Sequence, residues 1–164
     1  FIVSSFSKAL CITGWRIGYI IHDKSHAAGL QSVHDYIGLC APSLLQQALA
    51  NYLEKYNYAE DFKAEFRRNI TQSFQSLNKV LSEQDFQIPK IDGGCFIWAE
   101  LPKEFTDGFR FASMLYDENK VAVIPGEHFS ASKTNWIRFN IARPMNEILS
   151  AEKEIVLFMQ NHKG

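Results

Sequence analysis

Hydrophobic positions follow a helical period most clearly over residues 62–81. Apolar side chains recur there every three or four residues and so fall on one helix face: Phe62, Phe66, Ile70, Phe74, Leu77 and Leu81. Charged residues between them, such as Lys63 and Glu65, fall on the face predicted to meet water. The pattern predicts a long amphipathic helix that ends near Asp85, and its aromatic stripe is typical of core packing.

Four further segments are predicted to be helical: residues 26–39, 43–56, 109–118 and the stretch after Pro144. In the last of these, the spacing puts Ile148 and Ile155 on the inward face. The same spacing puts Glu147, Glu152, Lys153 and Glu154 on the outward face.

Short apolar runs predict strands at residues 1–3, 16–21, 86–88, 95–101, 121–124 and 136–142, and the first of them is expected to be buried. These few strands lie among long helices, and regular βαβ alternation is absent after residue 24. The sequence therefore predicts an α+β fold, with helices covering one side of a short, largely antiparallel sheet.

The chemistry-bearing stretch begins directly after the first predicted strand. Lys8 follows the hydroxyls of Ser5 and Ser7, and Arg16 stands eight positions further on, between Gly14 and Gly18. A lysine amine can form an imine with a carbonyl once its pKa is lowered by a nearby cation or a dry pocket. The planar fork of an arginine matches a phosphate dianion, and the serine hydroxyls add short donors. An aldehyde that carries a phosphate would use both groups.

This stretch resembles the lysine signature of the class I and II pyridoxal-phosphate aminotransferases, of fold type I. The signature runs Ser-x-Ser-Lys, five residues, then Gly-x-Arg-x-Gly and an aromatic, here Tyr19; Cys11 stands where the family usually has a smaller residue. The resemblance implies that Lys8 carries the Schiff base of pyridoxal 5'-phosphate and moves the proton. It implies that Arg16 and Ser5, with Ser7 as a weaker candidate, grip the cofactor phosphate.

Arg138 is the second charged candidate. Strand alternation puts Trp136, Arg138 and Asn140 on one face, and an inward arginine suits the α-carboxylate that amino-acid and 2-oxo-acid substrates share. A structural ion pair is the competing interpretation of Arg138, whereas Arg143 is expected on the other face in a surface contact. Gly94 lies in an Asp92-Gly93-Gly94 turn that predicts positive φ, and the resemblance implies that it leaves room beside the substrate.

Two other functions stay open at this stage, and a third, a hydrolase, explains less of the sequence. Ser-x-x-Lys also marks penicillin-recognising hydrolases, but their Ser-Asp-Asn element is absent and only Lys133-Thr134-Asn135 approximates the other. A related pyridoxal-phosphate enzyme, such as a β-lyase or a synthase, shares the lysine motif. A non-catalytic interaction module that uses the long helices would leave the motif unused.

Composition excludes several classes of protein. The 164 residues are 46% hydrophobic and 21% charged, with a formal net charge of −1 and no basic run, which argues against nucleic-acid binding. No apolar stretch approaches the length of a membrane span. The three cysteines are widely spaced, which favours reduced thiols and a cytoplasmic location. His22 and His26 have the spacing of a metal pair, but no third ligand completes a set, and no metal is expected.

The resemblance covers nearly all of this chain but only the C-terminal portion of a whole enzyme. It implies that residues 1–24 end the large cofactor-binding domain, that 25–45 form an interdomain segment and that 46–164 form the small domain. It also implies a homodimer whose subunits share each site. Alone, this portion is expected to be weakly active or inactive.

Overall fold

The computed structural model describes residues 1–162. The chain forms two compact units, and the division between them falls after Phe66. Strands β1 (Ile2–Ser5) and β2 (Gly18–Ile21) open the first unit, followed by helices α1 (Ala27–Gly38) and α2 (Ser43–Lys55). Helix α3 (Glu60–Glu83) begins in the first unit and ends in the second. The second unit continues with β3 (Phe96–Glu100), α4 (Gly108–Asn119), β4 (Ile124–Pro125), β5 (Trp136–Asn140) and α5 (Met145–His162).

The first unit is built around an antiparallel ribbon. β1 pairs with β2 so that Ser5 lies opposite Gly18. Its small core consists of Leu10, Ile17, Leu49 and Ala59. The ribbon's apolar side chains lie outside this core, and Ile2 and Val3 are 61% and 72% exposed. The prediction that the first strand is buried was therefore wrong for this chain, because nothing in residues 1–162 covers it.

The second unit packs helices against one face of a three-stranded antiparallel sheet of order β3-β5-β4. Alternation buries Ile97 and Ala99 of β3 and Ile137 and Phe139 of β5 against the helices. The main core joins these residues to buried side chains of the three helices: Leu77, Leu81, Phe111, Leu115, Ile148, Ile155, Phe158 and Met159. The opposite face of the sheet carries Trp98 and Arg138, which are directly opposed.

Helix boundaries follow from local chemistry. The Asp107 side chain accepts a hydrogen bond from the Arg110 amide at 2.9 Å, which caps the start of α4. Lys120 ends the same helix in the left-handed conformation, with φ 58°. The predicted helix at 109–118 is therefore confirmed, as are the long helix that ends near Asp85 and the final helix after Pro144.

Several predicted elements were wrong in detail. Of the predicted strand at 121–124, only Ile124 pairs with β5, together with Pro125 just beyond it. Residues 86–88 contribute a single bridge, from Gln87 to Glu100. The second strand begins at Gly18 because Arg16 is left-handed, with φ 56°. Glu152, predicted to face water, is only 8% exposed.

The α+β class is confirmed, with a short antiparallel sheet and long helices. The contact division at Phe66 comes later in the chain than the predicted interdomain segment at 25–45. The assignment of residues 1–24, 25–45 and 46–164 to domains of the whole protein stays a prediction. Among the described helices, none has the length and apolar character to cross a membrane.

Candidate active site

Residues 5–17, the lysine loop, comprise the last residue of β1 and the connection to β2, and they carry Lys8 and Arg16. The loop is closed at its base, where the Phe6 amide donates to the Ile17 carbonyl at 3.3 Å, next to the Ser5–Gly18 pair. Leu10 and Ile17 are buried and anchor the loop on the core of the first unit. The sequence thus folds this segment so that its polar residues stay at the surface.

Lys8 lies just beyond the end of β1. The Lys8 carbonyl accepts a hydrogen bond from the Cys11 amide at 3.4 Å, a tight turn in which Cys11 adopts φ 56°. The Lys8 side chain is exposed, and within residues 1–162 no carboxylate lies within 4.0 Å of its ammonium. Its amine is therefore not engaged in an ion pair inside this chain.

Thr13 links the two ends of the signature. Its hydroxyl donates to the Ser7 carbonyl at 3.3 Å, and its own carbonyl accepts from Nη1 of Arg16 at 3.2 Å. This bond uses one of the five N–H donors of Arg16, and no acidic partner for the guanidinium lies among the described residues. No pattern in the sequence singles out Thr13, because its role depends on the loop's folded path.

The serine hydroxyls of the signature are also unused. In the part of the chain that the structure describes, the hydroxyls of Ser5 and Ser7 form no hydrogen bond. Ser5 is exposed and Ser7 is half-buried. The lysine loop therefore presents hydrogen-bond donors that are still available, from Ser5, Ser7, Lys8 and Arg16, along one connected segment.

The two glycines of the signature differ. A Cβ at Gly18 would lie 2.8 Å from the Ser4 carbonyl oxygen, so this glycine is required by close packing of the ribbon. A Cβ at Gly14 would meet nothing within 4 Å. Of the two, only Gly18 is required to be glycine by its neighbours within the described residues.

Arg138 lies in the second unit, within a group of aromatic residues. The Arg138 cluster comprises Phe96, Trp98, Phe129, Trp136 and Arg138. The guanidinium carbon of Arg138 is 4.3 Å from the centroid of the Phe96 ring and 4.3 Å from that of Phe129. No ion pair or side-chain hydrogen bond of Arg138 is present within residues 1–162. The competing interpretation of Arg138, a structural ion pair, is thus not realised in the described chain.

The remaining rings brace the cluster. Trp98 meets Phe129 edge to face at a centroid distance of 5.6 Å and stacks on Trp136 at 5.5 Å. The ammonium of Lys133 lies 4.1 Å from the centroid of Trp136. The sequence indicated only that Trp136 and Arg138 share a face. The contacts of Phe96 and Phe129 with Arg138 were missed, because they depend on strand register and on the turn after β4.

Gly94 and Arg143 fall where the sequence placed them. Gly94 has φ +107°, the only glycine with positive φ among residues 1–162, and a Cβ there would meet nothing within 4 Å. Arg143 is exposed and pairs with Glu147 through Nη2 and Oε2 at 2.6 Å, the surface contact expected for it. Within residues 1–162, no three His, Cys, Asp or Glu side chains converge as a metal site would require.

The fold and the lysine signature define a class of protein. The profile of the family "Aminotransferase class I and II" matches residues 1–152, and the chain belongs to this family. The aspartate aminotransferase of Musicola paradisiaca is 30% identical over 155 residues, which cover 93% of this chain and 38% of that protein. The LL-diaminopimelate aminotransferase of Maridesulfovibrio salexigens is 26% identical over 92% of this chain and 38% of its own length.

Solved structures agree on the fold. The aromatic aminotransferase of Pyrococcus horikoshii superposes with a TM-score of 0.88 at 22% identity, covering 98% of this chain and 43% of that one. The chain therefore spans about two fifths of the length of the relatives it matches.

Proposed function

We propose that the whole protein to which this chain belongs is a pyridoxal-phosphate-dependent aminotransferase, which moves an amino group between an amino acid and a 2-oxo acid. The observation that supports the proposal best is the set of available hydrogen-bond donors on the lysine loop. One lysine, one arginine fork and two hydroxyls lie on a single connected segment and lack acidic partners within residues 1–162.

The donors of the lysine loop fit the cofactor. A phosphate needs several N–H and O–H donors and positive charge, and Arg16, Ser5 and Ser7 supply both. Lys8 is the residue that would hold the aldehyde carbon through Nζ. When bound, pyridoxal phosphate supplies an electron sink for cleavage of the substrate Cα–H bond and a carrier for the amino group.

Three residues of this chain then have distinct roles in the reaction. Nζ of Lys8 takes the proton from the substrate Cα as general base and later releases it to a different atom as general acid. Arg138 binds the substrate α-carboxylate through two parallel N–H donors, which orients the Cα–H bond. Gly94 leaves space beside the substrate, since a side chain is absent there.

The proposal extends to the setting of the enzyme. The three cysteines are unpaired, which is consistent with a reducing, cytoplasmic compartment. We propose a homodimer for the whole protein, on the strength of its family. The present chain alone is expected to show weak activity or none, because it spans about two fifths of its relatives.

The test is trapping of the cofactor in the full-length protein. Borohydride reduction after addition of pyridoxal phosphate should label Lys8, and mass spectrometry of the digested protein identifies the site. Lys8→Arg should abolish the label, whereas Lys24→Arg, a change at another exposed lysine, should leave it intact. Arg16→Gln should weaken cofactor affinity and keep the label at saturating cofactor.

Product analysis distinguishes the reactions. An amino acid converted to its 2-oxo acid, with stoichiometric amination of an added 2-oxo acid, supports the proposal. Ammonia and pyruvate from elimination would instead identify a β-lyase, and a cyclised or condensed product a synthase. A full-length protein that takes up no label at Lys8 would leave an interaction module as the better description.

A further inference from the structure

Arg138 is held by aromatic rings instead of by acids, and this has a consequence for the carboxylate site. Phe96 comes from β3, which pairs with β5 on one side, and Phe129 follows β4, which pairs with β5 on the other. The guanidinium carbon lies 4.3 Å from both ring centroids. A cation at this distance from a ring face is attracted by the ring's quadrupole.

Ring contacts leave the N–H donors available. A phenylalanine ring carries no oxygen or nitrogen acceptor, and within residues 1–162 the Arg138 side chain donates no hydrogen bond, so its N–H donors stay available. A carboxylate neighbour would have occupied the same fork, and none is present among residues 1–162. The cluster therefore fixes the position of the arginine without occupying the edge that would bind an anion.

Phe129 is not a core residue. It is 49% exposed, and it directly follows the short 3-10 helix Gly126–His128. Its ring packs against Arg138 and Trp98, at 4.3 Å and 5.6 Å, and it does not belong to the main core. A half-exposed ring with these two contacts contributes more to the placement of Arg138 than to the hydrophobic core.

We infer that Phe96 and Phe129 are positioning residues that hold the Arg138 fork ready for the substrate carboxylate. The inference rests on the proposed function, in which Arg138 binds that carboxylate. An arginine side chain loses rotamer freedom when it binds, and a fork that is already restrained loses less. The rings therefore lower KM for every substrate that carries an α-carboxylate, amino acid and 2-oxo acid alike.

The test uses the full-length enzyme and compares an amino acid with the corresponding amine, which lacks the carboxylate. Phe129→Leu keeps an apolar side chain but removes the ring face. It should raise KM for the amino acid and for the 2-oxo acid by about three- to tenfold, the size of one cation–π contact. For the amine, it should leave kcat/KM within about twofold of the value for the unsubstituted enzyme, a difference no larger than the scatter of such assays. Phe96→Leu should have the same effects. Phe129→Tyr, which keeps an aromatic ring at this position, should leave KM at its original value.

Two controls make the result specific. Phe109→Leu removes another exposed ring of the second unit, 55% exposed and without an Arg138 contact, and should leave KM unchanged. Arg138→Gln tests the carboxylate site itself and should remove most of the preference for the amino acid over the amine. In the Arg138→Gln background, Phe129→Leu should cause no further loss, because the ring then has no fork to hold.

The failures are distinguishable. If Arg138→Gln leaves the preference for the amino acid intact, the proposed carboxylate site is wrong, and the inference falls with it. If Arg138→Gln removes the preference but Phe129→Leu behaves like Phe109→Leu, only the inference is overturned. Equal loss toward amino acid and amine in Phe129→Leu would show a general structural role and would also overturn it.

Discussion

Gly126 lies against Trp136 with no room for a side chain. A Cβ added to Gly126 would come within 2.7 Å of the Trp136 Cβ and 2.9 Å of its carbonyl oxygen. The Gly126 carbonyl accepts hydrogen bonds from the amides of Phe129 and Ser130, at 2.9 and 3.1 Å. The close approach of these two residues therefore fixes the turn that carries the Phe129 ring to Arg138.

Gly126→Ala should destabilise the protein and loosen the Arg138 cluster. A methyl group forced against backbone and Cβ atoms costs about 1–3 kcal/mol in the free energy of unfolding. Urea unfolding of the full-length protein measures this loss, and the KM for an amino acid should rise in the same variant. Gly93→Ala, where a Cβ meets nothing within 4 Å, is the control and should change neither quantity. Equal stability of the two variants would contradict the prediction.

Gly18→Ala should weaken the ribbon that supports the lysine loop. Its Cβ would lie 2.8 Å from the Ser4 carbonyl oxygen, so β1 and β2 must separate to admit it. Hydrogen exchange of the Phe6 amide should accelerate, since it donates to the Ile17 carbonyl at the base of the loop. Gly29→Ala in α1 meets nothing within 4 Å and should instead stabilise by roughly 0.5–1 kcal/mol, as a helical alanine does. Unchanged exchange in Gly18→Ala would count against the packing argument.

Glu152 carries a buried carboxylate oxygen, Oε1, for which the described residues provide no hydrogen-bond partner. It is the fourth residue after Ile148 and the third before Ile155, so it shares their core-facing side of α5. Replacing an unsatisfied buried polar group by an apolar one of similar size removes its desolvation cost, about 1–3 kcal/mol. Glu152→Met should therefore raise the urea midpoint without changing the slope of the transition.

The matched control for Glu152 is Glu147, an exposed glutamate on the same helix that pairs with Arg143. Glu147→Met removes a surface ion pair and should change the free energy of unfolding by less than about 1 kcal/mol. A clear loss of stability in Glu152→Met would mean that the carboxylate has a partner in the whole protein.

Asp23 links the stability of one turn to pH. Its carboxylate accepts from the Ser25 hydroxyl at 2.6 Å and from the Ser25 amide at 2.9 Å. The side-chain hydrogen bond, followed by the backbone one, lowers the pKa of Asp23 below its ordinary value. Because the folded-state pKa is the lower one, this stabilisation is complete above the unfolded pKa and is lost as the pH falls through the folded one.

An NMR titration of the Asp23 carboxyl measures this directly. Ser25→Ala should raise the Asp23 pKa, since it removes the larger of the two hydrogen bonds. Ser82→Ala, at an exposed serine near the end of α3, should not alter it. An Asp23 pKa that does not move in Ser25→Ala would show that the backbone amide alone stabilises the carboxylate.

Long elements with a regular hydrophobic period were predictable from sequence, because many residues independently indicate the same helix face. The α3 stripe ends in the buried residues Leu77 and Leu81, as its spacing predicts. Phe62, at the start of the same stripe, is 37% exposed, because the helix there lies in the first unit and outside the main core. Periodicity identifies the apolar face, whereas the depth of burial depends on what the fold brings against it.

Short elements and single side chains were less predictable. The apolar run at residues 121–124 has strand composition, yet only its last residue, Ile124, pairs with β5, followed by Pro125. Glu152 was assigned to water because a charged residue usually avoids the core. Strand alternation was enough to place Arg138 on a face with Trp136, but the ring contacts depend on the turn at Gly126. Whether Ser5, Ser7, Lys8, Arg16, Gly94 and Arg138 act as predicted stays a prediction until the trapping and kinetic tests are done.

The apolar side chains of α1 and its C-terminal end have a practical consequence for work with the isolated chain. Tyr36, Ile37 and Leu39 are 91%, 81% and 78% exposed, and Val3 of the ribbon is 72% exposed. Exposed apolar side chains of this kind, on a chain whose two-stranded β1-β2 ribbon has open edges, promote aggregation in concentrated solution. Yield and shelf life of this piece expressed by itself should therefore fall steeply as its concentration rises.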